Sequence, residues 1–224
     1  MRAGQFLMPQ GASLIDRLGE DLWQDLLPHL KARGMPSAMA ARYQPWFLGL
    51  TMSVAPCAMR ALQSGQLGLD RLVERNALDV GLTTRSLDSP QSMIDTLSAS
   101  PLDTQVDDLR QAIEAKSLNA NGTEALIALY FAGETQLAWD FNAYTVVEMA
   151  QEHGVADVDN QLQRMEQSLV IERNQQWLEI LIPELSQTSS IVAVGALHLP
   201  GDQGVLAGLK AAGYKMERVK IVRN

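Results

Sequence analysis

The sequence predicts an α/β fold: a helix-rich domain with a small, mostly parallel sheet. Three observations carry this. An apolar, β-branched run over 190–195 breaks at Gly195, presents His198, turns at Pro200 and Gly201, and leads into a helical stretch through Leu206 and Leu209 to Gly213. A second run over 216–222 follows, so the order is strand, turn, helix, strand. Such a crossover joins parallel strands and sets the segment between strand and helix at the carboxyl end of the sheet, where open α/β proteins bind ligands. Finally, 82–87 alternates enough for a third strand, while most of the remaining chain repeats with helical period.

Composition bounds the rest. The chain has 224 residues, 46% of them apolar, enough for a real hydrophobic core. A net charge of −8 argues against a nucleic-acid partner, which needs clustered Lys and Arg. Lys210, Lys215, Arg218, Lys220 and Arg223 are locally basic and read as a solvated edge strand. Cys57 is the only cysteine, which excludes an intrachain disulfide, and its setting reads as that of a small buried hydrophobe. No run of about 20 apolar residues exists to span a membrane. The first ten residues hold no apolar stretch long enough for a signal peptide, so the chain as written reads as soluble and cytoplasmic.

Taken in order, Ser13 opens a helix whose stripe is Leu14, Leu18, Leu22, Leu26 and Leu30, closed by Gly34 and Pro36. His29 lies beside that stripe as a half-buried packing residue. Ser37 caps the next stretch, Pro45 interrupts it, and 46–62 continues as an apolar helix in which Met52 and Met59 fill core. A turn at 65–68 precedes a helix from Leu69 to Leu78. After the strand over 82–87, Asp88 reads as an N-cap before Pro90 and a helix through Met93 and Leu97. The third amphipathic helix covers 101–115, with Val106, Leu109 and Ile113 inward and Asp103, Asp107, Asp108 and Glu114 on a solvated face. Two helices over 123–133 and 134–151 meet at Gly133, with Phe131, Trp139, Phe141 and Tyr144 expected between them. His153, at the end of the second, suits the helix dipole. A long helix from Asp157 toward Gln187 kinks near Pro183. Its apolar line places Arg173 where an apolar residue belongs. A guanidinium there either reaches an acid, carbonyls or an anion, or snorkels at the stripe's edge. Asp202 is placed to cap the last helix.

Two stretches resemble the C-terminal signature of the TraB/GumN (TraB/PrgY/GumN) family: Val194-Gly195-x-x-His198-Leu-x-Gly201-x-x-Gly204 followed by Leu209-x-x-x-Gly213-Tyr214, and upstream Glu172-Arg173-Asn174-x-x-Trp177. The animal Tiki proteins of that family act as metal-dependent proteases. The resemblance implies a fold of the erythromycin-esterase/ChaN-like kind and a metal-dependent hydrolase or peptidase acting on a peptide or small-molecule substrate. His198 would be a metal ligand or general base, Arg173 would hold a substrate carboxylate or oxyanion, and Asn174 would orient a neighbour. Gly195 and Gly201 would shape the supporting turn. A divalent metal ion of unknown identity is the implied cofactor; neutral imidazoles would bind it, and it would activate a water.

The chain departs from the family pattern in two places. The family glutamate is Asp88 here, one methylene and about 1.5 Å shorter. The family's first Gly-x-x-His, on an N-terminal strand, has no counterpart; the nearest histidine is in Leu26-Leu-Pro-His29. The expectation is one TraB/GumN-like domain over 1–224, shortened at its N-terminus, and exported if Met1 is not the true start. A non-catalytic peptide- or ligand-binding domain using the same cleft is the other reading.

Overall fold

The computed structural model describes residues 3–114, 123–152, 154 and 158–219. Among them there is no strand and no sheet; the one β-bridge joins Leu7 to Tyr43. This corrects the α/β expectation. Residues 82–86, 190–195 and 216–219 carry no regular secondary structure and none of them pairs as a strand, and 220–222 of the third expected strand lie outside the described residues. Apolar alternation favours an extended backbone, but a strand also needs a neighbour for its N–H and C=O groups. Ile191 is 83% exposed and Val219 is 79% exposed, so these side chains do not meet a covering layer either. The basic C-terminal residues through Val219 therefore edge no sheet.

The chain folds as helices in two packed groups. In the first, α1 (Leu14–Leu18) and α2 (Glu20–Ala32) are separated at Gly19, whose φ of +85° is open to glycine and strained for any side chain. One continuous helix was expected here. Ser13 caps α1 through its Oγ, which accepts from the Ile15 N–H. Next come α3 (Ser37–Ala40), α4 (Pro45–Ser53) and α5 (Pro56–Gln63). The expected helix over 46–62 is split because Pro56 cannot donate to a continuing ladder. α6 (Leu69–Asp79) and α7 (Pro90–Leu97) lead to α8 (Leu102–Glu114). Leu14, Trp23, Leu26, Leu30, Leu48 and Met52 pack against Val106, Leu109 and Ile113, so the predicted stripes of α2 and α8 do face one core.

Arg33 lies in that core at 2% exposure with no acid beside it. Its guanidinium donates instead to the carbonyls of His29, Met52 and Val54, orphaned at or near the ends of α2 and α4. Cys57, expected to be buried, is exposed.

The second group begins with α9 (Thr123–Ala132) and α10 (Thr135–Glu152), which turn at Gly133 as predicted. Phe131 and Tyr144, expected between these helices, are 74% and 63% exposed. α11 (Val158–Glu166) runs through one π-helical turn, Gln167–Ile171, into α12 (Glu172–Leu185). The irregularity expected at Pro183 thus sits earlier, and Pro183 stays inside the helix. After a run without regular secondary structure, a 3₁₀ turn over Ala196–His198 leads to α13 (Val205–Ala211), whose N-cap is Gly204 and not Asp202. Trp177, Leu181 and Val205 form a small core, with Leu87, Val194 and Leu209 packed against it.

Candidate functional site

The π turn adds one residue to the helix and shifts its register, and such insertions often mark functional sites. The shift buries Asn174, Trp177 and Leu181 on one face of α12 and leaves Arg173 beside them, 19% exposed. Two segments without regular secondary structure reach this end of α12. One brings Asp88: Arg85 pairs with Glu184 near the far end of α12, and Asp88 reaches Arg173 at the near end. The other brings His198.

Asp88 is the anchor of the cluster. Arg173 Nε and Nη2 donate to its Oδ2 at 3.0 and 2.6 Å, and the indole N–H of Trp177 donates to its Oδ1 at 2.8 Å. The third arm of the guanidinium, Nη1, donates to the Leu169 carbonyl at 2.9 Å. Arg173 also lies 4.9 Å from the Trp177 ring centre, a cation–π distance. Of the alternatives open for Arg173, the acid partner is the one realised. The N-cap expected of Asp88 is Ser89, whose Oγ accepts from the Ser92 N–H. The shortened carboxylate still reaches a charge partner.

His198 is 7% exposed, and its ring lies 4.3 Å from that of Trp177, centre to centre. Its Nδ1 sits 2.7 Å from Asn174 Oδ1. Nε2 has no partner among the described residues. Burial pushes the imidazole pKa down to about 4, Arg173 pushes the same way, and Asp88 opposes both. At neutral pH this histidine is an uncharged ring.

The supporting glycines act differently from expectation. Gly195 has φ −56°, open to any residue, and its carbonyl accepts from the His198 N–H at 2.9 Å. The turn that presents His198 is therefore the 3₁₀ turn itself. Gly201 has φ +80° and belongs to the next turn. Gly204 is the tightest position: a Cβ there would lie 2.1 Å from the Pro200 carbonyl oxygen and 2.4 Å from that of Leu199.

The site residues named from the sequence thus fall into one network, with Asn174 and His198 bonded directly and Arg173 joined to them through Trp177. The cavity that Arg173 lines does not include His198. The small polar pocket beside Arg173, with water-sized space of about 30 Å³, is lined by Asp88, Ser92, Thr96, Ser168, Glu172 and Gln176, without His198. His29 lies half-buried on α2, in the first group of helices, and His153 lies outside the described residues. Sequence reasoning set Trp177 on the apolar line and in the Arg-Asn segment and weighed Asp88 as a shortened carboxylate or an N-cap; it missed that Asp88 bonds to both Arg173 and Trp177. The signal available was an acid directly after an apolar alternation, placed to answer an arginine out of register.

Among the described residues the donor set around His198 does not complete a metal site. Around His198 stand one imidazole nitrogen, an amide already bonded and a carboxylate already paired to a cation. A divalent ion in a zinc-type site takes three or more protein ligands. Among the described residues no group of three His, Cys, Asp or Glu side chains is placed to hold one. No helix among them is long and apolar enough to cross a membrane.

Comparison with known proteins finds no matching curated protein and no matching solved structure. One family model matches, described as the TraB/PrgY/gumN family, and it spans residues 2–218. That span takes in the Arg173-Asn174 segment, the Gly195–His198 turn and the network that joins them, and the chain belongs to the TraB/PrgY/gumN family.

Proposed function

We propose that the chain serves a peptidase-like hydrolase of the TraB/GumN type, with His198 Nε2 as the nitrogen that meets the reacting group. The observation that supports this is the histidine itself: buried, uncharged at neutral pH, held at Nδ1 and unpartnered at Nε2. A ring with so low a pKa is a weak general base at pH 7. It is better suited to donating a lone pair to a Lewis acid or to an N–H or O–H, because no proton competes for the nitrogen. Arg173 acts in this reading through Asp88 and Trp177 as part of the mount, in place of the substrate-binding role inferred from the family. A divalent ion at this nitrogen would draw its other ligands from beyond the described set, and no reaction step is written through it.

The second reading is a binding domain for a peptide or small ligand, without cleavage. It is favoured by one observation: both charged groups of the cluster are spent on each other, in the Arg173–Asp88 pair. One experiment separates the two. The purified chain is incubated with a mixed peptide library with and without Zn²⁺, Co²⁺ or Mn²⁺, and products are read by mass spectrometry. Metal-stimulated cleavage that disappears in His198→Gln supports the hydrolase. Peptide retention without cleavage under every metal condition supports the binding domain and rejects the hydrolase for this chain.

A further inference from the structure

We infer that Asn174 is a positioning residue that sets the tautomer of His198, with the proton on Nδ1 and the lone pair on Nε2. The argument is a count of donors and acceptors. The Asn174 amide nitrogen has two N–H groups, and both find carbonyls: the His198 carbonyl at 3.3 Å and the Gln203 carbonyl at 2.8 Å. Carbonyl oxygens only accept, so this side of the amide must be the NH₂. The oxygen then faces His198 Nδ1 at 2.7 Å, and it too only accepts. Nδ1 must therefore carry the hydrogen. Turning the amide over would set Oδ1 against two carbonyl oxygens at a residue 1% exposed. The amide has one tenable orientation, and the imidazole one tenable tautomer.

Free neutral imidazole side chains in water favour the opposite tautomer, with the proton on Nε2. The fold thus imposes on His198 the less common form, and it does so with one side chain reaching across 24 residues of sequence. The same amide ties the 3₁₀ turn at His198 to the turn at Gln203, so the ring is fixed in direction as well as in protonation. Trp177 closes on the ring at 4.3 Å, and Asp88 holds Trp177 by its indole N–H. An Nε2 lone pair fixed in this way accepts a hydrogen bond from an N–H or O–H donor on the ligand. The inference deepens the hydrolase reading and rests on it for the use of Nε2, but the protonation state stands apart from it.

The test is imidazole nitrogen NMR on the full chain labelled with ¹⁵N, at neutral pH. Long-range proton–nitrogen correlations distinguish an N–H nitrogen from one bearing a lone pair. The expected result for His198 is N–H character at Nδ1 and lone-pair character at Nε2. The reverse pattern in the unmodified protein overturns the inference without any variant. Asn174→Leu removes the acceptor and should move His198 to mainly Nε2–H. A folded Asn174→Leu protein that stays Nδ1–H also overturns it, since a purely structural asparagine would leave the tautomer unmoved. Adding Zn²⁺ to the same sample tests the hydrolase reading separately. A shift confined to the Nε2 resonance supports that reading, whereas no shift counts against it and leaves the tautomer result intact.

Discussion

At the scale of single residues, the His198 pKa of about 4 has a consequence for stability. The unfolded chain titrates this ring near 6.5, above the folded value. Between those two values the unfolded state holds a proton that the folded state lacks, so stability rises with pH across the window. The contribution is complete above pH 6.5 and is lost as pH falls through about 4, on the order of 3 kcal/mol in all. Urea unfolding at pH 7 and at pH 4.5 should show this loss, and His198→Gln should show a smaller pH dependence. Asp88 invites a different measurement. Asp88→Asn leaves the Arg173 guanidinium without its counter-charge at one-fifth exposure, which should cost roughly 2–3 kcal/mol. The double variant with Arg173→Met should recover part of that loss, and a double-mutant cycle by chemical denaturation reads the coupling. Both residues were visible in the sequence, but their pairing was not. Arg173 announces itself by breaking an apolar line. Asp88 lies 85 residues away, and only the path of the chain brings them together.

Secondary elements divide into those the sequence discloses and those it does not. The amphipathic stripe of α8 and the hairpin turn at Gly133 follow from period and punctuation, which are local. The α1–α2 break, the α4–α5 split and the π turn depend on how a helix must bend to stay packed, which is not local. The expected strands mislead for a related reason. β-branched alternation records a preference for extended backbone, while pairing belongs to two segments at once. The motif glycine at 204 is a case where the structure supplies the physical reason. Gly204→Ala would drive a methyl into the backbone carbonyls of Leu199 and Pro200, which cannot swing aside as a side chain does. We expect a loss of about 2–3 kcal/mol, in line with other overpacked sites, and disturbance of the His198 resonances in the same spectrum. An unchanged midpoint and spectrum would show that the turn yields freely.

For the whole molecule, the two apolar clusters differ in weight. The first gathers residues of α1, α2, α3, α4 and α8 and most of the large buried side chains, whereas the second rests on Trp177, Leu181 and Val205 with partly buried neighbours. α5 and α6 contribute no buried residue to either. The candidate site therefore hangs on the lighter of the two groups, and the hydrogen bonds around Asn174 and Asp88 carry a correspondingly larger share in shaping it. This distribution could not be read from the sequence, because apolar content is similar along much of the chain and says nothing of which faces find partners.

The run before Gly195 has a further meaning for an outside enzyme. Digestive proteases take hold of a substrate by pairing with a straight length of main chain, and residues 190–194 lie in no helix and pair with no strand, with Ile191 83% exposed. Brief exposure to elastase, which favours small and branched aliphatic residues, should nick the native chain there before it attacks α2, α4 or α8. The shorter product would carry His198 and α13. It should stay seated on α12 through Val205 and Leu209 and through the Asn174 amide, co-eluting with the larger piece until denaturant parts them. Separation of the pieces in native buffer would mean that the turn bearing His198 is held in place chiefly by its own peptide bonds.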